Sequence, residues 1–199
     1  MVQIVYLNGG MGMRKSFEPR AWLYPEPVLV IGTYNEDGTA NAMVAAWGAM
    51  SDFKQIFIAL DLSHKTADNI RGRQAFTVSI TDAAHIPQAD YVGSVSGRDV
   101  PDKVEVAGLH VCRAEKVDAP YFEEFPLTFE CSLAELDENK ERVFGNIENI
   151  TADECILDSR GRIDVEKLAP IAFDPVSNTY LHVSGRAGQA FHDGLVYKK

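Results

Sequence analysis

The run Asp61-Leu62-Ser63-His64-Lys65-Thr66 gathers two hydroxyls, an imidazole and an ammonium within four residues. It lies between an apolar strand-like segment and the start of a helix-like one. The first turn of a helix carries unpaired N–H groups and partial positive charge, so it favours anions. Hydroxyl and backbone donors beside Lys65 would suit a terminal phosphate dianion, with Arg71 and Arg73 adding positive charge on the same short helix. The same residues also suit a plain capped helix with a solvated lysine. A second run, Asn41-Ala42-Met43-Val44-Ala45-Ala46-Trp47-Gly48, sets small side chains beside a large aromatic at a strand end. Such a stretch lets a flat ligand approach the backbone. Alternatively, it packs beneath a helix with Trp47 as a core anchor.

Other chemistries lack their residues. There is no GxxxxGK[ST] phosphate loop, and Gly10-Met11-Gly12 lacks the third glycine of a dinucleotide fingerprint. HExxH is absent, and Gly93-Ser94-Val95-Ser96-Gly97 has valine where a nucleophile elbow needs serine. The five histidines are scattered without metal-ligand spacing. His110 and Cys112 would share one face of a strand with no third ligand nearby. Cys131 falls within an apolar alternation and reads as a small core residue. No metal site is expected.

The elements that must position these residues are mostly strands. Val28–Tyr34 is a continuous apolar run, as in a strand buried on both faces. Asn35-Glu36-Asp37-Gly38 is a turn signal, with Thr39–Trp47 as the return strand. Further strands are expected at 55–61, 75–80, around 127–133, at 143–150 and at 179–183. Short helices are expected at 66–74, at 82–92 with Pro87 as an interruption, and at 101–106. Many strands with few short helices imply a mainly β, antiparallel closed or nearly closed barrel. Residues 93–102 read as a surface loop. Residues 1–12, with a short β-prone run at Val2–Leu7, look like an extension outside a single domain spanning 13–199.

The 199 residues are 46% hydrophobic and 24% charged, as in an ordinary globular domain. Twenty-nine carboxylates against 19 Lys and Arg give a net charge of −10, which disfavours nucleic acid and anionic membrane surfaces. No apolar run approaches the roughly 20 residues of a membrane span, and residues 1–17 lack the features of a secretory leader. Three dispersed cysteines do not make a disulfide framework. A cytoplasmic setting is expected.

Taken in order, a set of short matches resembles the flavin reductase-like family with the FMN-binding split barrel, and its flavoredoxin branch in particular. They are Trp22-Leu23-Tyr24-Pro25, Gly32-Thr33-Tyr34 with Asp37-Gly38, Asn41-Ala42-Met43 with Ala45-Ala46-Trp47, and Ser63, Lys65 and Thr66. Later come Tyr91-Val92-Gly93, Ser96-Gly97-Arg98, Pro101-Asp102-Lys103, Gly145-Asn146-Ile147, Leu168-Ala169-Pro170 and Tyr180. The resemblance spans about residues 13–194 and implies an antiparallel Greek-key split β-barrel. It further implies a homodimer holding non-covalent FMN near the subunit interface. Asn41, Ala42, Met43, Ala45, Ala46 and Trp47 would run along the ribityl chain and ring, while Ser63, His64, Lys65 and Thr66 would hold the phosphate. Lys103 would approach the ring, where a cation favours negative charge; it also suits a solvated loop position.

One departure bears on activity. Many reductase members carry a histidine, associated with reduction by nicotinamide, where this chain has Lys140. The implied function is an FMN oxidoreductase that takes electrons from NAD(P)H and passes them to an acceptor. The alternative is a flavoredoxin-type electron carrier without its own nicotinamide site, which an acidic surface would help to dock on a basic redox partner protein. A scaffold barrel without flavin is disfavoured by the intact Ser63–Thr66 run and by Trp47.

Overall fold

The computed structural model describes residues 14–198, so the expected extension at 1–12 and its β-prone run lie outside the described residues. The fold is mainly β. Its strands, in order, are β1 (Glu26–Pro27), β2 (Leu29–Tyr34), β3 (Ala40–Ala45), β4 (Gly48–Asp52), β5 (Gln55–Ala59) and β6 (Ala75–Ile80). They continue with β7 (Val111–Arg113), β8 (Pro120–Phe122), β9 (Leu127–Asp137), β10 (Arg142–Ala152), β11 (Ile171–Asp174) and β12 (Thr179–His182). The helices are α1 (Lys65–Arg73), α2 (Ile86–Ser94), α3 (Lys103–Val106) and α4 (Val165–Leu168).

Seven strands form one antiparallel sheet in the order β3-β2-β6-β9-β10-β5-β4. Its two edges are consecutive in the chain, with Ala46 and Trp47 alone between them. Three peptide steps reach at most about 11 Å, so the sheet must curl until β3 and β4 meet at that end. Ala59 N–H donates to Trp47 O at 2.7 Å and fastens the crossing to β5. The barrel is therefore joined at this seam and split elsewhere. The chain returns through α1 to lay β6 antiparallel against β2, with Ile31 opposite Val78, giving the Greek-key path. A small sheet in the order β1-β11-β12 covers one flank.

The continuous apolar run of β2 has a direct cause. Leu29 and Ile31 enter the barrel core with Ile58, Phe76, Val78 and Val143. Val30 faces the other way, into a second core with Val92, Val104 and Phe122 beneath α2 and α3. Cys131 is fully buried in the first core, and burial pushes its thiol up to about 12.

Three expectations need correction. The return strand stops at Ala45, not Trp47, because the chain must cross the seam there. The helix expected at 82–92 starts at Ile86. Asp82 Oδ1 accepts from the amides of Ala84 and His85 and holds a turn before it. Pro87 then occupies the first helical turn, where its missing N–H costs nothing. His110 lies outside β7, and its ring meets Glu124 at 2.6 Å, so it does not share a strand face with Cys112. The hydrogen bond to Glu124 raises the pKa of this imidazole.

Candidate functional site

The site begins with the anchoring of α1. Asp61 Oδ1 accepts from Ser63 N–H at 2.8 Å and Asp61 O from His64 N–H at 3.0 Å. The first of these bonds lowers the Asp61 pKa. The turn they make places His64 in an extended conformation as the residue before the helix, with no side-chain cap. The amides of Lys65 and Thr66, in the first helical turn, have no acceptor within the helix.

A buried, uncharged network ties α1 to the β2–β3 hairpin. Asn41 Nδ2 donates to Thr66 Oγ1 at 2.9 Å and to Thr33 Oγ1 at 3.3 Å. Asn69 Nδ2 donates to Thr33 Oγ1 at 3.0 Å and to Asn35 Oδ1 at 2.9 Å. Thr33, Asn41, Thr66 and Asn69 are all buried. Buried amides and hydroxyls are stable only when paired, so this set fixes the position of Lys65 relative to Asn41.

Two clefts meet over this framework. The first, about 380 Å³, is walled by Asn41, Met43 and Val44, by Ser63–Thr66, by Val92–Arg98 and by Lys103. The second, about 510 Å³, is walled by Met43–Trp47, Ala59–Asp61, His64 and Lys140–Arg142. Met43, Val44 and His64 border both. The first cleft is rich in polar and cationic groups, and the second brings small side chains and an indole. Close packing shapes the first: a Cβ on Gly97 would fall 2.4 Å from Asn41 Oδ1, and one on Gly93 2.9 Å from Val44 Cβ. Only glycine lets the last turn of α2 and the loop after it lie against β3.

Ten of the eleven candidate residues line these clefts. Asn41, Ser63, Lys65, Thr66 and Lys103 line the first, Ala45, Ala46 and Trp47 the second, and Met43 and His64 both. Ala42 lines neither; it is fully buried in the core beneath α2. Lys103 reaches the cleft in an unexpected role. It is 3% exposed, and its Nζ donates to Val92 O at 2.9 Å and Val95 O at 2.7 Å. It thus caps the end of α2 as a cation at a helix C-terminus, and burial lowers its pKa to about 8.

Arg98 is the functional candidate that reading residue types alone passes over. Its guanidinium bonds Ser63 O through Nε at 3.3 Å and Nη2 at 3.1 Å, and pairs with Asp68 at 2.5 Å. It lines the first cleft together with Lys65. Its motif lies 35 residues from Ser63, so only the fold joins them. By contrast, Arg71 and Arg73 do not supply the cleft. Arg71 pairs with Asp68 and Glu138, and Arg73 bonds Asn35 O, Glu36 O and Asp118.

Trp47 is not a core anchor: it is 57% exposed, and its Nε1 donates to the buried carboxylate of Glu26 at 3.1 Å. Glu26→Ala is expected to free the indole. The fluorescence anisotropy of Trp47, read in a Trp22→Phe background, should drop, with a stability loss of about 1–2 kcal/mol from the lost charged hydrogen bond. Unchanged anisotropy would show that packing alone holds the ring.

A donor-rich end suited to an anion thus lies beside a flat apolar end on a split barrel. The flavin reductase-like domain model matches residues 21–166, and the chain belongs to that family. Flavoredoxin of Desulfovibrio vulgaris (Miyazaki F) is similar to it at 36% identity and a TM-score of 0.88, covering 92% of this chain and all of the other. The Escherichia coli (strain K12) protein YddH is 31% identical over 150 residues, covering 71% of this chain and 79% of YddH. An Aeropyrum pernix relative is 29% identical over 118 residues, which cover 58% of this chain and 44% of that protein. No described helix is long and apolar enough to cross a membrane, and the described residues hold no cluster of potential metal ligands.

Proposed function

We propose that the joined clefts bind FMN without a covalent link and that the protein is an FMN-dependent oxidoreductase of this family. In this reading NAD(P)H is the electron source and a further molecule or protein is the acceptor. The observation that carries it is the continuity of the two clefts through Met43, Val44 and His64. The donor set suits a phosphate monoester: Lys65, Arg98, the Ser63 hydroxyl and the first-turn amides of α1. Met43–Trp47 would face the tricyclic ring. When bound, FMN supplies the redox chemistry. The chain's part is to hold the phosphate, to orient the ring with the Glu26-supported indole, and to keep the Val92–Arg98 loop closed through Lys103.

An electron-carrier reading is favoured by one observation. Lys140 borders the second cleft, with Asp137 at 3.5 Å, where many reductases have histidine. A carrier would exchange electrons with a basic redox partner drawn by the acidic surface. In either reading the protein works as a homodimer with FMN near the interface, in the cytoplasm, without nucleic acid or membrane.

The purified protein is expected to be yellow, with FMN released on denaturation. Anaerobic rapid mixing of this holo-protein with NADH or NADPH decides between the readings. Fast bleaching supports the enzyme, and absence of bleaching supports the carrier. A colourless protein that takes up no added FMN would sink both.

A further inference from the structure

No carboxylate lines the first cleft, yet one just outside it holds the cleft's arginine. Asp68 lies three residues after Lys65 in α1, on the same side of the helix. Its Oδ2 pairs with Arg98 Nη2 at 2.5 Å, and its Oδ1 with Arg71 Nη1 at 3.3 Å. Arg98 therefore grips α1 and the turn before it in two ways: through the charge of Asp68 and through the neutral carbonyl of Ser63. Lys103, the third cation in the cleft wall, has its ammonium on the carbonyls of Val92 and Val95. Of the three, only Lys65 makes no salt bridge or side-chain hydrogen bond among the described residues.

A phosphate dianion beside Lys65 and the Asp68 carboxylate would draw on one and the same guanidinium. They would also repel each other. Arg98 and Asp68 are both half exposed, so solvent keeps that repulsion modest rather than prohibitive. Nothing else is lost when Arg98 turns from one anion to the other. Asp68 keeps Arg71 on its second oxygen and the positive end of α1 around it. The loop carrying Arg98 keeps its Nε bond to Ser63 O. The exchange is therefore cheap in both directions.

We propose that Asp68 is an internal competitor for the phosphate of FMN. Its carboxylate holds Arg98 in the absence of a phosphate, and in its presence keeps the grip partial, so that the cofactor exchanges. This rests on the FMN reading above and adds the residue that limits the affinity.

The test is Asp68→Asn, which removes the charge with little change of shape at an exposed position; Asp68→Ser is made alongside. FMN is expected to bind both variants about three- to tenfold more tightly than wild type at low ionic strength, chiefly through slower release. The gain should shrink at about 0.5 M salt. Riboflavin should bind variants and wild type alike, and Asp68→Glu should return FMN affinity to the wild-type value. In an Arg98→Ala background the gain from Asp68→Asn should largely vanish. Unchanged or weaker FMN binding in Asp68→Asn and Asp68→Ser would make Asp68 a support for Arg98 and overturn the proposal. A gain equally large without Arg98 would reduce Asp68 to a distant charge and overturn it too. A wild type that binds no FMN removes both this proposal and the FMN reading; one that binds it, with no gain in the variants, removes this proposal alone.

Discussion

Replacing Lys65 and Arg98 together by alanine is expected to weaken FMN binding about a hundredfold. Each charge-assisted bond to a phosphate is worth about 1.5–3 kcal/mol. Both side chains stand partly in solvent, which pulls the pair towards the lower end of that range. Lys65 opens α1, and Arg98 reaches the turn before it by bonding Ser63 O. Their removal leaves the hydroxyl and amide donors in place, so binding should weaken without vanishing. Thr66 is a poorer target, because its hydroxyl already accepts from Asn41 inside the network. Titration of the apo-protein with FMN, and with riboflavin in parallel, gives the measurement. Equal affinity of variant and wild type for FMN would mean the phosphate sits elsewhere. Riboflavin, lacking the phosphate, should bind both alike.

Lys103→Met is expected to lower stability by about 2–3 kcal/mol at pH 7. The methionine keeps most of the apolar stem but leaves the carbonyls of Val92 and Val95 without their donor, and a buried acceptor left unpaired costs about 1–3 kcal/mol. The pH dependence carries a definite sign. Burial brings Lys103 to about 8 in the folded protein, below the ordinary lysine value. Between those values the unfolded chain binds more protons, so the stability attributable to Lys103 increases with pH there. The difference between wild type and Lys103→Met should therefore widen, by about 2 kcal/mol, between pH 7 and pH 10 in urea unfolding. A narrowing gap would show that the ammonium is not held in a desolvated position.

Long, strongly patterned elements were visible from residue order. The run at Val28–Tyr34 announced a strand between two cores, and the alternation around Phe76–Ile80 and Leu127–Leu133 announced strands with one face in the barrel. Short strands such as β1, β7 and β8 carry too few residues for any periodicity. They exist because a neighbour pairs with them: Glu26 and Pro27 are strand only opposite Phe173 and Ala172. β4 was hidden differently. The seam at Ala46–Trp47 interrupts what looks like one strand, and only the curl of the sheet requires the break. At the site, donor types near Ser63–Thr66 could be read locally. The functions of Arg98 and Lys103 could not, because each depends on carbonyls made reachable by the loop after α2. Residue types alone favour Trp47 as a core anchor over a ring-facing group, and its exposure with an indole bond to Glu26 removes the anchor.

The buried part of the tie between α1 and the β2–β3 hairpin is made of amides and hydroxyls, with the Arg73 guanidinium added at its edge on the carbonyls of Asn35 and Glu36. Added electrolyte shields the attraction of Lys65 and Arg98 for a dianion but has no charged pair to loosen within that tie. Rising ionic strength should thus slacken the grip on the cofactor while its seat keeps the same shape.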